Sequence, residues 1–224
     1  MTEKNSKGRI SKSSPVIYKG ELISKEEHGV TSKIALDLLK IQKNDMSLDA
    51  VVHFKCKNLE KALRKELEIP YRPITRGDLA GITKLQLDGL EITDLSGLEG
   101  MTQLTNLYLF NNQISDISPL QVMTQLKRLW LSHNKISDIS PLQGMTQMTN
   151  LYLEYNNISD ISPLQCMTQM FSLWLDINQI TDISPLKGMT RMSQLCLFDR
   201  QISDSQKEEL KKALPYCKIK FFKS

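Results

Sequence analysis

The feature that most limits how this chain folds is a repeat of fixed length. Leu85, Leu107, Leu129, Leu151, Leu173 and Leu195 follow one another at 22-residue intervals. Each has a second leucine two positions on: Leu87, Leu109, Leu131, Leu153, Leu175 and Leu197. Six units start at 82, 104, 126, 148, 170 and 192 and fill 82–203. Leucine alternation puts both leucines on one side of a strand and the residue between them on the other. A strand this short does not bury its apolar side alone, so successive units must stack and share a core. In the unit from Leu104, the residues Ile114, Ile117, Leu120 and Met123 complete that core. Ser118-Pro119-Leu120 suits a short helical turn on the far side, with the serine as cap and the proline as first residue.

Two polar columns share the period. Asn112, Asn134, Asn156 and Asn178 carry donors and acceptors suited to backbone groups of the next coil, and a buried amide left unpaired costs about 1–3 kcal/mol. The column should therefore be fully hydrogen-bonded. Asp94, Asp116, Asp138, Asp160, Asp182 and Asp204 each follow an inward-facing residue by two positions, where aspartate accepts turn amides. A calcium edge is the rival reading, but calcium needs six or more converging oxygens, so no metal is expected.

One unit reads Leu104-x-x-Leu107-x-Leu109-x-x-Asn112-x-Ile114, followed by Ser115-Asp116-Ile117-Ser118-Pro119-Leu120. This resembles the leucine-rich repeats of bacterial internalins, a 22-residue class shared with a eukaryotic protein phosphatase regulator. The resemblance implies an α/β fold: a right-handed solenoid with short parallel strands on its concave face and 3₁₀ or irregular turns on its convex face. The internalins' export signal and wall-anchoring features have no counterpart here, so their role in host-cell adhesion is not carried over. The phosphatase-regulator likeness rests on repeat type and transfers no partner.

A stacked core is open at both ends and needs caps. Leu90 and Arg200 stand where the column would have asparagine, marking terminal repeats. Residues 47–81 read as an N-terminal cap. Asn58 to Leu67 has helical apolar spacing with Asn58 as its N-cap, Pro70 and Pro73 end it, and Thr75-x-x-Asp78 opens a second turn. Residues 204–224 read as a C-terminal cap. Ser205-x-x-Glu208 starts a helix ending near Pro215, and a closing strand follows at about 217–221, with Leu214, Cys217 and Ile219 in the register of Met192, Leu195 and Leu197. Residues 1–46 form a basic extension, polar enough at its start to predict disorder, with an amphipathic helix expected over 30–41.

The net charge of +4 hides a division: 1–81 carries +5, the repeats −4 and the last 21 residues +3. No apolar signal segment or membrane-length run occurs, and Cys56, Cys166, Cys196 and Cys217 are isolated thiols, which together predict a cytoplasmic protein without membrane contact. A basic tail without interleaved aromatics argues against nucleic acid as the partner.

Strand alternation assigns an outward column of Gln86, Tyr108, Trp130, Tyr152, Trp174 and Cys196, in which four successive residues are aromatic. Phe110, Tyr155, Phe171 and Phe198 lie beside it, so eight of 14 aromatic residues gather on or near one face. Cross-strand stabilisation would also explain such a row. Tyrosine and tryptophan, however, join large apolar area to a polar handle, the chemistry of binding hot spots. Asp88, Glu91, Glu154, Asp176 and Asp199, partly offset by Lys84, Arg128, Lys135 and Arg200, suggest polar pairing at a rim.

The expected ligand-binding residues are Tyr108, Phe110, Trp130, Tyr152, Glu154, Tyr155, Trp174, Asp176 and Phe198. The expected partner is a protein or peptide, with carbohydrate stacking on the ladder, or binding of nucleic acid or acidic surfaces by the basic N-terminal tail, as alternatives. No cofactor motif, phosphate loop or nucleophile elbow occurs. His133 lies three repeats from Cys196, and that exposed-looking thiol has no base at hand, so no enzyme is expected.

Overall fold

The computed structural model describes residues 48–223, so the expected helix at 30–41 and the basic tail lie outside the described residues. Two helices, α1 (Lys57–Glu66) and α2 (Arg76–Ala80), precede the strands β1 (Lys84–Gln86), β2 (Asn106–Tyr108), β3 (Arg128–Trp130), β4 (Asn150–Tyr152), β5 (Ser172–Trp174) and β6 (Gln194–Phe198). Helix α3 (Asp204–Ala213) and strand β7 (Lys218–Phe222) follow. Among the described residues the seven strands form one parallel sheet in sequence order. From β1 to β6 each residue pairs with the one 22 positions on, as in Leu85 with Leu107 and Leu107 with Leu129.

Both leucines of every unit point into a continuous core, with Ile114, Ile117, Leu120 and Met123 and their counterparts at or near zero exposure. The convex side carries 3₁₀ turns at Ser118–Leu120, Ser140–Leu142, Ser162–Leu164 and Ser184–Gly188, each with its proline in the first turn. The serine does not act as the cap. Its own amide donates to the aspartate two residues earlier, at 2.8 Å in Ser118–Asp116, Ser140–Asp138, Ser162–Asp160 and Ser184–Asp182. The aspartate column thus closes turns, and its carboxylates face local amides.

The asparagines reach backward, to the preceding coil. Asn156 Nδ2 donates to the Leu131 carbonyl at 2.9 Å and to Leu153 at 3.0 Å, while its Oδ1 accepts from Ile136 N at 3.0 Å. Asn112, Asn134 and Asn178 repeat the pattern. Each amide ties two neighbouring coils together where the chain leaves its strand, a point at which strand pairing alone leaves backbone groups unmatched.

The caps differ from the sequence reading in detail. Helix α1 begins at Lys57 with Cys56 as its N-cap residue, and Asn58 instead donates from Nδ2 to the Glu91 carbonyl at 3.4 Å. Leu59 and Leu63 bring its apolar stripe into the shared core. Phe54 packs over Gly97, whose φ of +102° and lack of a side chain allow this; a Cβ there would sit 2.5 Å from the ring. Thr75 and Asp78 form the expected box, with Thr75 N donating to Asp78 Oδ2 at 2.8 Å.

At the other end the box is Ser203 with Gln206, two residues before the one expected from Ser205 and Glu208, so that Asp204 enters the first turn. Strand β7 is present, but Ile219 pairs with Leu195 and Phe221 with Leu197, a spacing of 24 residues. The α3 excursion lengthens the last coil by two, and an even slip preserves which side chains face inward. No helix among the described residues is long and apolar enough to cross a membrane.

Replacing Asn156 with alanine leaves the Ile136 amide without its acceptor and takes one of two side-chain donors from the Leu131 and Leu153 carbonyls, which keep Asn134 and Asn178, and is expected to cost about 1–3 kcal/mol. Urea unfolding of the variant measures this; a loss below about 0.5 kcal/mol would remove the structural role assigned to the column.

Candidate functional site

The outward column of the sheet forms a stack of rings. Tyr108 and Trp130 lie with centroids 4.2 Å apart and planes 11° from parallel, and Trp130 and Tyr152 are 5.1 Å and 13° apart. Tyr152 meets Trp174 edge-on, at 5.5 Å and 69°. The parallel register that sets Tyr108, Trp130, Tyr152 and Trp174 opposite one another brings the rings to stacking distance. The first three rings are half-buried by their neighbours; Trp174, at the end of the row, is 37% exposed. The Lys84 ammonium sits 5.3 Å from the Tyr108 ring centre, so one end of the ladder already faces a cation.

The two flanking columns have opposite charge. On one side the strands present Lys84, Asn106, Arg128, Asn150, Ser172, Gln194 and Lys218. On the other, the residues two beyond the ladder are Asp88, Phe110, Ser132, Glu154, Asp176 and Phe198. The mixed charges seen in the sequence are therefore segregated across the row of rings.

The carboxylates of the acidic column are not equivalent. Asp88 accepts the Phe110 amide at 2.8 Å. Glu154 Oε2 and Asp176 Oδ1 are buried and have no hydrogen-bond partner. Burial pushes the Glu154 carboxyl above its ordinary value; the nearby Ser132 hydroxyl, the residue's own amide and the charge of His133 offset part of this, and the negative charge of Asp176 adds to it. Burial likewise raises Asp176, with its own amide and His133 acting the other way.

Beyond this column runs a second, shorter ladder. His133 stacks on Tyr155 at 4.0 Å and 14°, and Phe110 meets His133 edge-on at 5.2 Å. The sequence reading singled out Phe110 and Tyr155 but gave His133 no part. His133 and Tyr155 occupy the turn position at which Gly89, Asn111 and Ile177 also have positive φ, between 52° and 66°. Ile177 is costly there, because a β-branched side chain crowds the left-handed backbone; it is 38% exposed. Glycine and asparagine at the first two of these positions were the available signal for that conformation.

The remaining predicted residues spread out. Phe198 is half-buried with the Arg200 guanidinium 6.0 Å from its ring centre, and Phe171 is exposed one residue ahead of β5, off the ladder. Cys196 is not the exposed thiol the alternation suggested: it is 5% exposed, set between Trp174 and Lys220 in the register, and burial raises its pKa.

Comparison with known proteins agrees with this geometry. A family model describing leucine-rich repeats in two copies matches twice, over residues 81–122 and 124–166. The chain carries leucine-rich repeats. Among solved structures, an internalin from Listeria monocytogenes matches with a TM-score of 0.64 at 31% identity, covering 74% of this chain and 55% of its own. Internalin C2 of the same species matches at 0.59 and 28% identity, covering 74% of this chain and 83% of its own. A Leptospira interrogans leucine-rich repeat protein, at 0.61 and 24% identity over 67% of this chain and 40% of its own, shares the fold. Thus the leucine-rich repeat protein described here spans about half the length of the first of these. No curated protein matches it significantly.

The buried carboxylates give a pH-dependent prediction. Their folded-state pKa values are raised, so the fold holds their protons more tightly than the unfolded chain does. That stabilisation is present at low pH and is lost as pH rises from the ordinary carboxylate range through the raised values. Glu154→Gln with Asp176→Asn is therefore expected to raise stability at neutral pH by up to about 1 kcal/mol, the gain shrinking towards about pH 4. Thermal unfolding across that range measures it; a loss of stability at neutral pH would contradict it.

Proposed function

We propose that this leucine-rich repeat protein is a non-enzymatic interaction module, which holds a protein or peptide partner on its aromatic sheet face. The observation that carries this reading is the row Tyr108–Trp130–Tyr152–Trp174, four rings in register along the sheet, three stacked and the last, the exposed Trp174, meeting its neighbour edge-on. Both tryptophans of the chain stand in it. Rings already held by their neighbours lose little side-chain freedom when a partner covers them, so more of the contact energy is kept as affinity. Phe110 and Tyr155, each more than two-fifths exposed, widen the apolar strip, while the basic and acidic columns on either side give it a polar rim with a definite polarity. The fold is itself a scaffold for such contacts, and the internalin-like neighbours share it.

Trp130→Ala with Trp174→Ala is expected to weaken partner binding by about 2–4 kcal/mol, the scale of interface hot spots, and to leave the circular dichroism spectrum unchanged. An affinity pull-down comparing this variant with wild type tests the assignment. Partners retained equally by both would remove it.

A further inference from the structure

The two carboxylates lie where the aromatic face would meet a ligand; among the described residues no lysine or arginine pairs with them, and His133 is the base whose charge acts on both. Among those residues, ion pairs form at Arg64–Glu60, Arg72–Asp78, Lys187–Glu209, Lys207–Asp199, Lys207–Asp204 and Lys211–Glu208, all away from Glu154 and Asp176. Ser132, 1% exposed in the same column, adds a buried hydroxyl with no hydrogen-bond partner beside Glu154. Three oxygens in one column, the Ser132 hydroxyl with its own donor proton and the acceptors Glu154 Oε2 and Asp176 Oδ1, are thus desolvated and without a hydrogen bond of good geometry. Buried polar groups are normally paired, and a run of exceptions marks a place completed by something else.

Rings stand on both sides of the carboxylates: Trp130, Tyr152 and Trp174 on the sheet, His133 and Tyr155 on the turn. Among the described residues a cation is found against Tyr108 alone in this ladder, at the far end. We propose that Glu154, Asp176 and Ser132, with Tyr152 and Trp174, form a subsite for an arginine side chain presented by the partner. Arginine fits better than lysine. Its guanidinium carries five donors in a plane, answers paired carboxylates with two-pronged hydrogen bonds, stacks on aromatic faces and is weakly hydrated. An ammonium is strongly hydrated and offers no plane. The burial that raises both carboxyl groups in the free protein is offset once a cation enters, so the cost they impose on the fold becomes selectivity for the partner.

This subsite rests on the aromatic face being the binding surface, and one experiment separates the two ideas. A random dodecapeptide phage library is selected on the full-length protein, and enriched peptides are synthesised with arginine, lysine or citrulline at each arginine position. Enrichment of an arginine is expected, with binding weakened about tenfold or more by citrulline, less by lysine, and equally by Glu154→Gln with Asp176→Asn in the protein. Peptides lost on Trp130→Ala with Trp174→Ala, but indifferent to citrulline and to the carboxylate variant, would overturn the arginine subsite and leave the aromatic face standing. Peptides indifferent to both variants, or no enrichment, would overturn both.

Discussion

Everything on the aromatic face of this protein depends on strand register, and register depends on the asparagine column. Each of Asn112, Asn134, Asn156 and Asn178 binds carbonyls of its own and the preceding coil and accepts an amide of that preceding coil. Strands of three residues have few ladder hydrogen bonds with which to resist slipping. A slip of one residue would exchange core leucines for the tyrosines and tryptophans between them. The buried amides prevent this, since a slipped coil would leave their donors and acceptors unmatched. The ring spacings of 4.2–5.5 Å follow from that lock and from the parallel strand spacing.

The same regularity makes the departures informative. Five acidic or aromatic variations in one outward column decide where charge lies, while the leucines behind them do not change. Asp88 accepts the Phe110 amide, whereas Glu154 Oε2 and Asp176 Oδ1 are buried without a hydrogen-bond partner. A fold built to bury leucine efficiently has margin to carry a few uncompensated polar groups, and the proposed arginine subsite draws on that margin.

Much of this was legible in the sequence because a 22-residue period multiplies every local signal by six. The inward leucines, the outward rings, the turn-closing aspartates and the closing strand all follow from position within the unit. Where the period stops, only local signals remain. Asn58 and Ser205 both have the pattern of helix starts; Ser203, two positions before Ser205, gives the same pattern and wins, while the first helix starts after Cys56 with no side-chain cap at all. The final register was misjudged by two because α3 is longer than the turn it replaces, a length not encoded in the period. Within the face, alternation tells which side a residue is on but not what covers it. Cys196 proved buried between Trp174 and Lys220, and the stacking of His133 on Tyr155 depends on turn residues outside the strand pattern.

The claim that the asparagine column holds the coils in register is tested most directly by amide hydrogen exchange at Ile92, Ile114, Ile136 and Ile158. Their N–H groups donate to Asn112, Asn134, Asn156 and Asn178 side chains. If the column is the lock, these amides exchange as slowly as the Leu131 amide, which donates to the Tyr152 carbonyl just past β3, by global unfolding alone. Exchange at the rate of exposed turn amides, with Leu131 still protected, would show that the strands keep their register without it.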